Sequence, residues 1–424
     1  MINLTKEKFR LIKNFLSIGF YQLNNFIFQL LLTPFLIKRV GFLNFGIIST
    51  GIGISVFLSV ITEYGFNYVT TREIALNLNK KKTIGNVISN TLSTKLFLLV
   101  FAFLIQLSLF VSNNFYQYNL FYILSFALVL GKSFFPIWYF QGTEKMNFLV
   151  AYSFFSKTFS FILLYFIVTK PEQYIFVNFI IGIVDFFASI IILILINKRF
   201  EIHFFVFKFY RILITLKKGL YFFLSSLFIV GYSSLNIVFL NFFISGKEIG
   251  FYALAEKIIF IFKLLPILIF QAVYPYSCKL KSKSEAELAN FINNLFWVLT
   301  IVFLIVMVFI NLFSFQLISI FTKNNIKDIE PILNLLSVLP LAVALNIPAY
   351  LMLVVQNKQK NYFGLIVVTF FLSVLLNLIL IPIYGVLGGA FAMIFSEIFI
   401  AISLHIYIIL KCPELRFLNF RLSL

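Results

Sequence analysis

The sequence predicts an all-α integral membrane protein, with twelve transmembrane helices in two six-helix lobes and both termini cytoplasmic. Three observations carry this. Of 424 residues, 61% are hydrophobic and 12% charged, against about 45–50% and about 25% in soluble domains, so there is too little polar surface to cover a globule. Apolar runs of the roughly 20 residues needed to cross a hydrocarbon core of about 30 Å recur along the whole chain. Lys and Arg concentrate in alternate connections between those runs. Mean hydropathy is +1.02, and 60 Phe, 20 Tyr and 2 Trp are most simply accommodated with lipid as solvent.

The elements follow in order. Lys6, Lys8, Arg10 and Lys13 form a cationic start. The apolar run from Phe15 to Ile37 is too long for a removable signal and lacks a small-residue exit, so it is expected to stay as the first helix. The predicted spans are 14–37, 41–63, 88–111, 119–140, 147–168 and 174–196, then 218–243, 250–274, 289–313, 331–354, 361–383 and 385–410. The runs are long and alternate weakly, which excludes a β-barrel. Helices satisfy their own backbone hydrogen bonds, as lipid demands. With the N-terminus inside, the cytoplasmic segments carry 23 Lys and Arg and the outer connections 6, which sets the orientation. Lys38 and Arg39 are the one local exception.

The chain repeats itself. FQGTEK (140–145) follows span four and VQNKQK (355–360) follows span ten, at an offset of 215 between Gln141 and Gln356. VGFLNFGII (40–48) opens span two and IGFYALAEKI (249–258) opens span eight. Asp185 precedes Lys198 much as Glu397 precedes Lys411. These matches predict lobes at 1–197 and 218–424; the plain alternative is that two unrelated helix sets share simple loop chemistry. Parallel repeats of this kind build transporters whose substrate site lies between them. The segment 198–217, which contains FEIHFFVFKFYRILITL, is too apolar for a free linker and too basic for a span, so it reads as a cytoplasmic interfacial helix.

Several function classes lose support. There is no GxxxxGK[ST] loop and hence no built-in ATPase. His203 and His405 are far apart and no His/Cys spacing suits a metal; no cofactor and no enzymatic activity are expected. The outer loops are too short for the shaped site of a membrane polymerase. The net charge of +19 is read as topology and attraction to anionic headgroups rather than nucleic-acid binding. Cys278 and Cys412 fall in segments placed in the cytoplasm, where free thiols are expected.

An ionisable group in a span costs at least about 2.5–3.5 kcal/mol at a helix centre unless paired or hydrated, so such residues are functional candidates by default. Lys95, Lys132, Lys157 and Lys263 are the candidate cavity cations, with Lys257 beside them, and Asp185, Glu256 and Glu397 are candidate ion-coupling acids. Lys132 is the strongest cavity lysine. For the rest there are plainer readings. Lys157 and Asp185 could be a structural pair, Lys95 could snorkel to headgroups, Glu256 and Lys257 could lie near the outer surface, and Glu397 could be a packing acid. Lys263 lies one heptad from Glu256 and shares its face. Polar stripes run along span one (Gln22, Asn25, Gln29, Thr33) and span seven (Ser225, Tyr232, Ser233, Asn236). Lipid disfavours such faces, so both should turn inward, as cavity lining or as interhelical glue.

The segments RVGFLNFGI (39–47), EYGFNYVTTREIA (63–75), PIWYFQGTEKM (136–146), IGFYALAEKI (249–258) and NLILIPIYGVLGGAF (377–391) together resemble the Wzx-type flippases of bacterial O-antigen and capsule clusters, within the multidrug/oligosaccharidyl-lipid/polysaccharide exporter superfamily. The resemblance runs over nearly the whole chain. It implies two lobes around a cationic cavity that opens alternately to each side of the bacterial inner membrane. It implies undecaprenyl-diphosphate carrying one oligosaccharide repeat unit as substrate, and polymerase and chain-length proteins of glycan assembly as partners. Relatives often place Arg in the cavity; here every core base is Lys, so bidentate phosphate contact is not available. The alternatives are a multidrug exporter of the same fold, for which an acidic cavity would be expected, and a membrane enzyme of glycan assembly.

Overall fold

The computed structural model describes residues 2–200, 209–244, 246–356 and 358–411, with side chains from Ser17 onward except at 18, 114, 199, 200, 359–361 and 411. His203, Cys412 and the centre of the predicted interfacial segment lie outside these residues. Every regular element among the described residues is helical. Ten helical stretches among the described residues are long and apolar enough to cross a membrane. The chain divides into two compact units, Met1–Val230 and Gly231–Leu424.

The first unit opens with α1 (Ile2–Glu63), which contains a kink at Gly41 (φ 76, ψ 171). That backbone conformation is open to glycine and strained for other residues, and it falls where the sequence separates spans one and two. α2 (Phe66–Ala75) and α3 (Lys81–Ser108) follow, with α2 and the start of α3 occupying what reads in the sequence as a loop. The short α4 (Asn113–Tyr116) leads to predicted span four, which is not one helix. It comprises α5 (Asn119–Ser125), α6 (Ala127–Phe134) and α7 (Ile137–Gly142). Pro136 lacks an N–H and disfavours helical backbone in the residue before it, so Phe135 is extended (ψ 118) and α6 stops there. α8 (Asn147–Ile167) and α9 (Val177–Phe200) complete the bundle. α6 and α9 cross closely at Gly131 and Gly182, where an added Cβ would lie 2.8 Å from Asp185 Cβ and 2.2 Å from the Ala127 carbonyl carbon.

α10 (Phe209–Ser234) starts nine residues before its predicted span. Residues 198–217, read from sequence as one interfacial helix, therefore divide between the end of α9, the undescribed stretch 201–208 and the first turns of α10. The part of α10 in the first unit packs on the α1–α2 elbow. Phe223 stacks on Tyr64 (4.3 Å between centroids), Phe222 stacks on Tyr68 (4.9 Å), and Lys218 Nζ lies 2.6 Å from Glu73 Oε1. Both charges of that pair belong to segments the sequence places in the cytoplasm.

The second unit contains α11 (Asn236–Phe243), α12 (Lys247–Lys283), α13 (Glu285–Leu312), α14 (Ser314–Ser319), α15 (Ile326–Leu336), α16 (Val338–Val355), α17 (Gln359–Tyr384) and α18 (Val386–Lys411). Ser284 caps α13 by accepting from the Glu287 N–H, with Glu285 and Glu287 in the first turn where the helix dipole favours them. Leu299 and Phe303 of α13 bury against Ala344 and Ile347 of α16. The Pro-x-Tyr-Gly turn closes α17 as the sequence suggests: Gly385 (φ 59) donates its N–H to the Ile381 carbonyl at 2.8 Å. The turns after α7 and α16 each carry a bond of one type, Lys145 N–H to Phe140 O (2.9 Å) and Lys358 N–H to Leu353 O (2.8 Å), two residues out of register with the offset of 215 in the sequence.

Candidate functional site

The first unit gathers five charges from five helices. Lys157 of α8 and Asp185 of α9 form an ion pair at 2.8 Å with both side chains largely buried (17% and 13% exposed). Ser156, the neighbour of Lys157, donates its hydroxyl to the other oxygen of the same carboxylate. Ser189 and Tyr152 donate to the Asp185 backbone carbonyl at 2.7 and 3.2 Å, which fixes the turn of α9 that presents the acid. The Lys157 ammonium also lies over the Phe28 ring at 5.5 Å. The pairing meets the requirement that charges in a low-dielectric interior be matched and hydrogen-bonded.

Lys132, on α6 between buried Gly131 and Ser133, is itself exposed. The charges of Glu63, Lys157 and Asp185 act on it, but among the described residues it has no ion-pair or hydrogen-bond partner. Lys95 differs. It is buried at 3% exposure, and its ammonium donates to the Ser133 carbonyl at 2.9 Å, so it does not snorkel to headgroups. That carbonyl is an acceptor left over because Pro136 ends α6. Three lysines against Glu63 and Asp185 leave this cluster with one positive charge in excess.

The polar stripe of α1 splits. Gln22 and Gln29 are exposed, and Asn25 is half-buried. Asn25 accepts from Ser153 of α8 at 3.3 Å, and Asn24, one residue earlier, donates to Ser153 at 2.8 Å. Sequence reasoning missed Asn24, Ser153, Ser156 and Tyr152. The signal was present: Ser153, Ser156, Lys157 and Ser160 share helical spacing, and all three serines are buried.

In the second unit Lys263 of α12 reaches Glu397 of α18 at 3.4 Å, with Glu397 Oε1 as acceptor. Glu397, 4% exposed, thus takes its neutralising partner from another helix. Glu256 and Lys257 are half-buried, and the charges of Lys263 and Lys257 act on Glu256. Two lysines and two acids balance here. Tyr232 and Tyr362 lie within electrostatic reach of Glu397, and Tyr362 packs on Tyr350 at 4.8 Å. Asn236 is buried and donates to the Tyr252 hydroxyl (2.5 Å) and the Gly389 carbonyl (3.0 Å), joining α11 to α12 and α18. No cluster of metal-ligating side chains occurs among the described residues.

Residues 11–281 match the family described as "Polysaccharide biosynthesis protein". A protein of Shigella dysenteriae named "Putative O-antigen transporter" is 25% identical over 395 residues, covering 92% of this chain and 98% of that one. A multidrug resistance MATE family transporter of the MOP superfamily, in an inward-facing conformation, superposes with a TM-score of 0.70 at 16% identity, over 94% of this chain and 95% of the other. The lipid II flippase MurJ, in an inward closed conformation, superposes at 0.63 with 15% identity, over 95% and 89%. The chain is therefore a multi-pass membrane protein with the fold of the MOP-superfamily transporters, and it belongs to the polysaccharide biosynthesis protein family.

Proposed function

We propose that the protein is a flippase that moves undecaprenyl-diphosphate-linked oligosaccharide repeat units across the bacterial inner membrane by alternating access. The observation that carries this is the excess of lysine charge in the first unit, centred on exposed Lys132, which lies within electrostatic reach of Glu63, Lys157 and Asp185. A diphosphate crossing a low-dielectric region needs its hydration replaced by fixed cations, and a lysine without a dedicated acid supplies one with little to displace. The polar face of α1, with Gln22, Asn25 and Gln29, would meet the hydroxyl-rich glycan. The relatives named as O-antigen transporters support the same substrate class.

The reading includes twelve crossings with both termini inside and a six-helix lobe in each half. It is supported by the Lys and Arg bias, by Gly19–Ala75, which at 57 residues exceeds one crossing and is kinked at Gly41, and by the 37 residues of α12. An exporter of organic cations on this fold would be expected to offer an excess of acid, and the cluster has the reverse. The test is deletion of the gene in its own host. Single lipid-linked units should accumulate on the cytoplasmic side, and re-expression of the chain should clear them. Unpolymerised units displayed outside would indicate a polymerase instead.

A further inference from the structure

Between α1 and α8 the first unit carries a groove of about 680 Å3 lined by Phe20, Leu23, Ile27, Val150, Ala151 and Phe154. Its polar neighbours are spent on one another: Ser17 donates to Asn147 at 2.7 Å and Asn24 to Ser153 at 2.8 Å. Few polar groups along the groove are thus left calling for water, and the wall it presents is mainly hydrocarbon. Lys157 of the charged cluster lies further along the same helix, α8. Val150, Phe154 and Lys157 follow at helical spacing on one face of α8, about 10 Å from first to last. On the facing helix, Phe28 adjoins Ile27 and lies 5.5 Å from the Lys157 ammonium. An apolar channel ending on cations has the polarity of one kind of molecule, a hydrocarbon chain bonded directly to an anionic group.

We propose that this groove seats the isoprene units next to the diphosphate of the transported lipid while Lys132 and Lys157 hold the diphosphate. The inference rests on the flippase reading and adds to it the path of the tail. Bilayer hydrocarbon is as apolar as the groove, so burial does not draw the tail in. The groove instead provides a route by which a tail tethered to a deeply held head returns to the bilayer without crossing the polar stripe of α1.

The test uses the full chain in phospholipid vesicles and two probes carrying the same glycosyl diphosphate, one on a long polyprenyl chain with a diazirine in the first isoprene unit, the other capped with methyl. Photolysis should label residues 20–27 and 150–154. Ala151→Trp, at an exposed position of α8, and Leu23→Trp on the facing helix should weaken binding of the polyprenyl probe about tenfold or more and leave the methyl probe within about twofold. Labelling confined to other helices overturns the proposal, as does an equal loss of both probes, or no loss of the polyprenyl probe, in the folded variants. The labelling arm needs no substitution, so a variant that fails to fold leaves the question decidable. Lys132→Ala should weaken both probes; if it weakens neither, the diphosphate site is misplaced whatever the groove variants show.

Discussion

The Lys95 ammonium donates to the Ser133 carbonyl at 2.9 Å, at the point where Pro136 forbids α6 from continuing. In an unbroken helix that carbonyl would accept from Ile137, whose N–H instead bonds Phe135 O at 3.0 Å. A buried lysine at a helix C-terminus both fills the orphan acceptor and suits the negative end of the dipole. Lys95→Met should therefore destabilise the protein by about 1–3 kcal/mol, the cost of a buried polar group left unmade. Thermal unfolding in detergent measures it. Transport per folded molecule should stay near normal, and a selective loss of transport at unchanged stability would make Lys95 a substrate contact.

Lys132 should behave in the opposite way. No described partner depends on it, so Lys132→Ala should leave expression and stability unchanged. Transport should fall about tenfold or more, the scale of one lost charge-assisted contact of about 1.5–3 kcal/mol. Lys132→Arg should retain part of the activity. Normal surface glycan in the alanine variant would reduce Lys132 to a bystander.

Lys157 and Asp185 are separated by a cycle. Removing either alone strands a buried charge, at about 3–5 kcal/mol, and should lower the amount of folded protein. Lys157→Met with Asp185→Asn removes both charges and should restore expression. The flippase reading expects transport to remain lost in the double variant; recovered transport would show that the pair only holds α8 to α9.

How much of this was legible in the sequence follows from the kind of signal each feature leaves. That the chain is helical and crosses the membrane many times was legible because lipid imposes length and apolarity on every crossing. The break at Gly41 was legible as a gap between two runs, and Lys157 and Asp185 were recognisable as groups of similar depth. The partner of Lys95 was not legible, because a backbone carbonyl has no residue letter and the apolar run across Pro136 read as one helix. Asn236 was visible as part of a polar face, but a face does not name its neighbours, and Tyr252 and the Gly389 carbonyl bury it. The early start of α10 was hidden by Arg211, Lys217 and Lys218, which resemble a loop until Lys218 is seen against Glu73.

Orientation is checked by accessibility in intact spheroplasts. In a chain carrying Cys278→Ser and Cys412→Ser, single cysteines replacing the exposed residues Asn113 and Lys247 should react with an impermeant maleimide added outside. Cysteines replacing the exposed residues Lys81 and Lys145 should react only after permeabilisation. Labelling of the Lys81 position from outside would reverse the topology read from the basic residues.

The Lys263–Glu397 pair bears on energy coupling. At 3.4 Å it is longer than the 2.8 Å of Lys157–Asp185, and charge-assisted bonds at their optimum lie near 2.7–2.9 Å. Tyr232 and Tyr362 also lie within electrostatic reach of the carboxylate. Under the flippase reading, substrate binding that draws Lys263 away would leave Glu397 buried and negative, a state relieved by taking up a proton or a sodium ion. Glu397→Gln should then lower transport into vesicles and flatten its response to an imposed proton or sodium gradient. A static pair behaves differently: Lys263→Met with Glu397→Gln would fold, transport more slowly, and keep the gradient response of the unaltered protein. Measured in vesicles with the gradient varied at fixed substrate, an undiminished response in both variants would remove Glu397 from coupling and leave consumption of the glycan outside the membrane as the driving force.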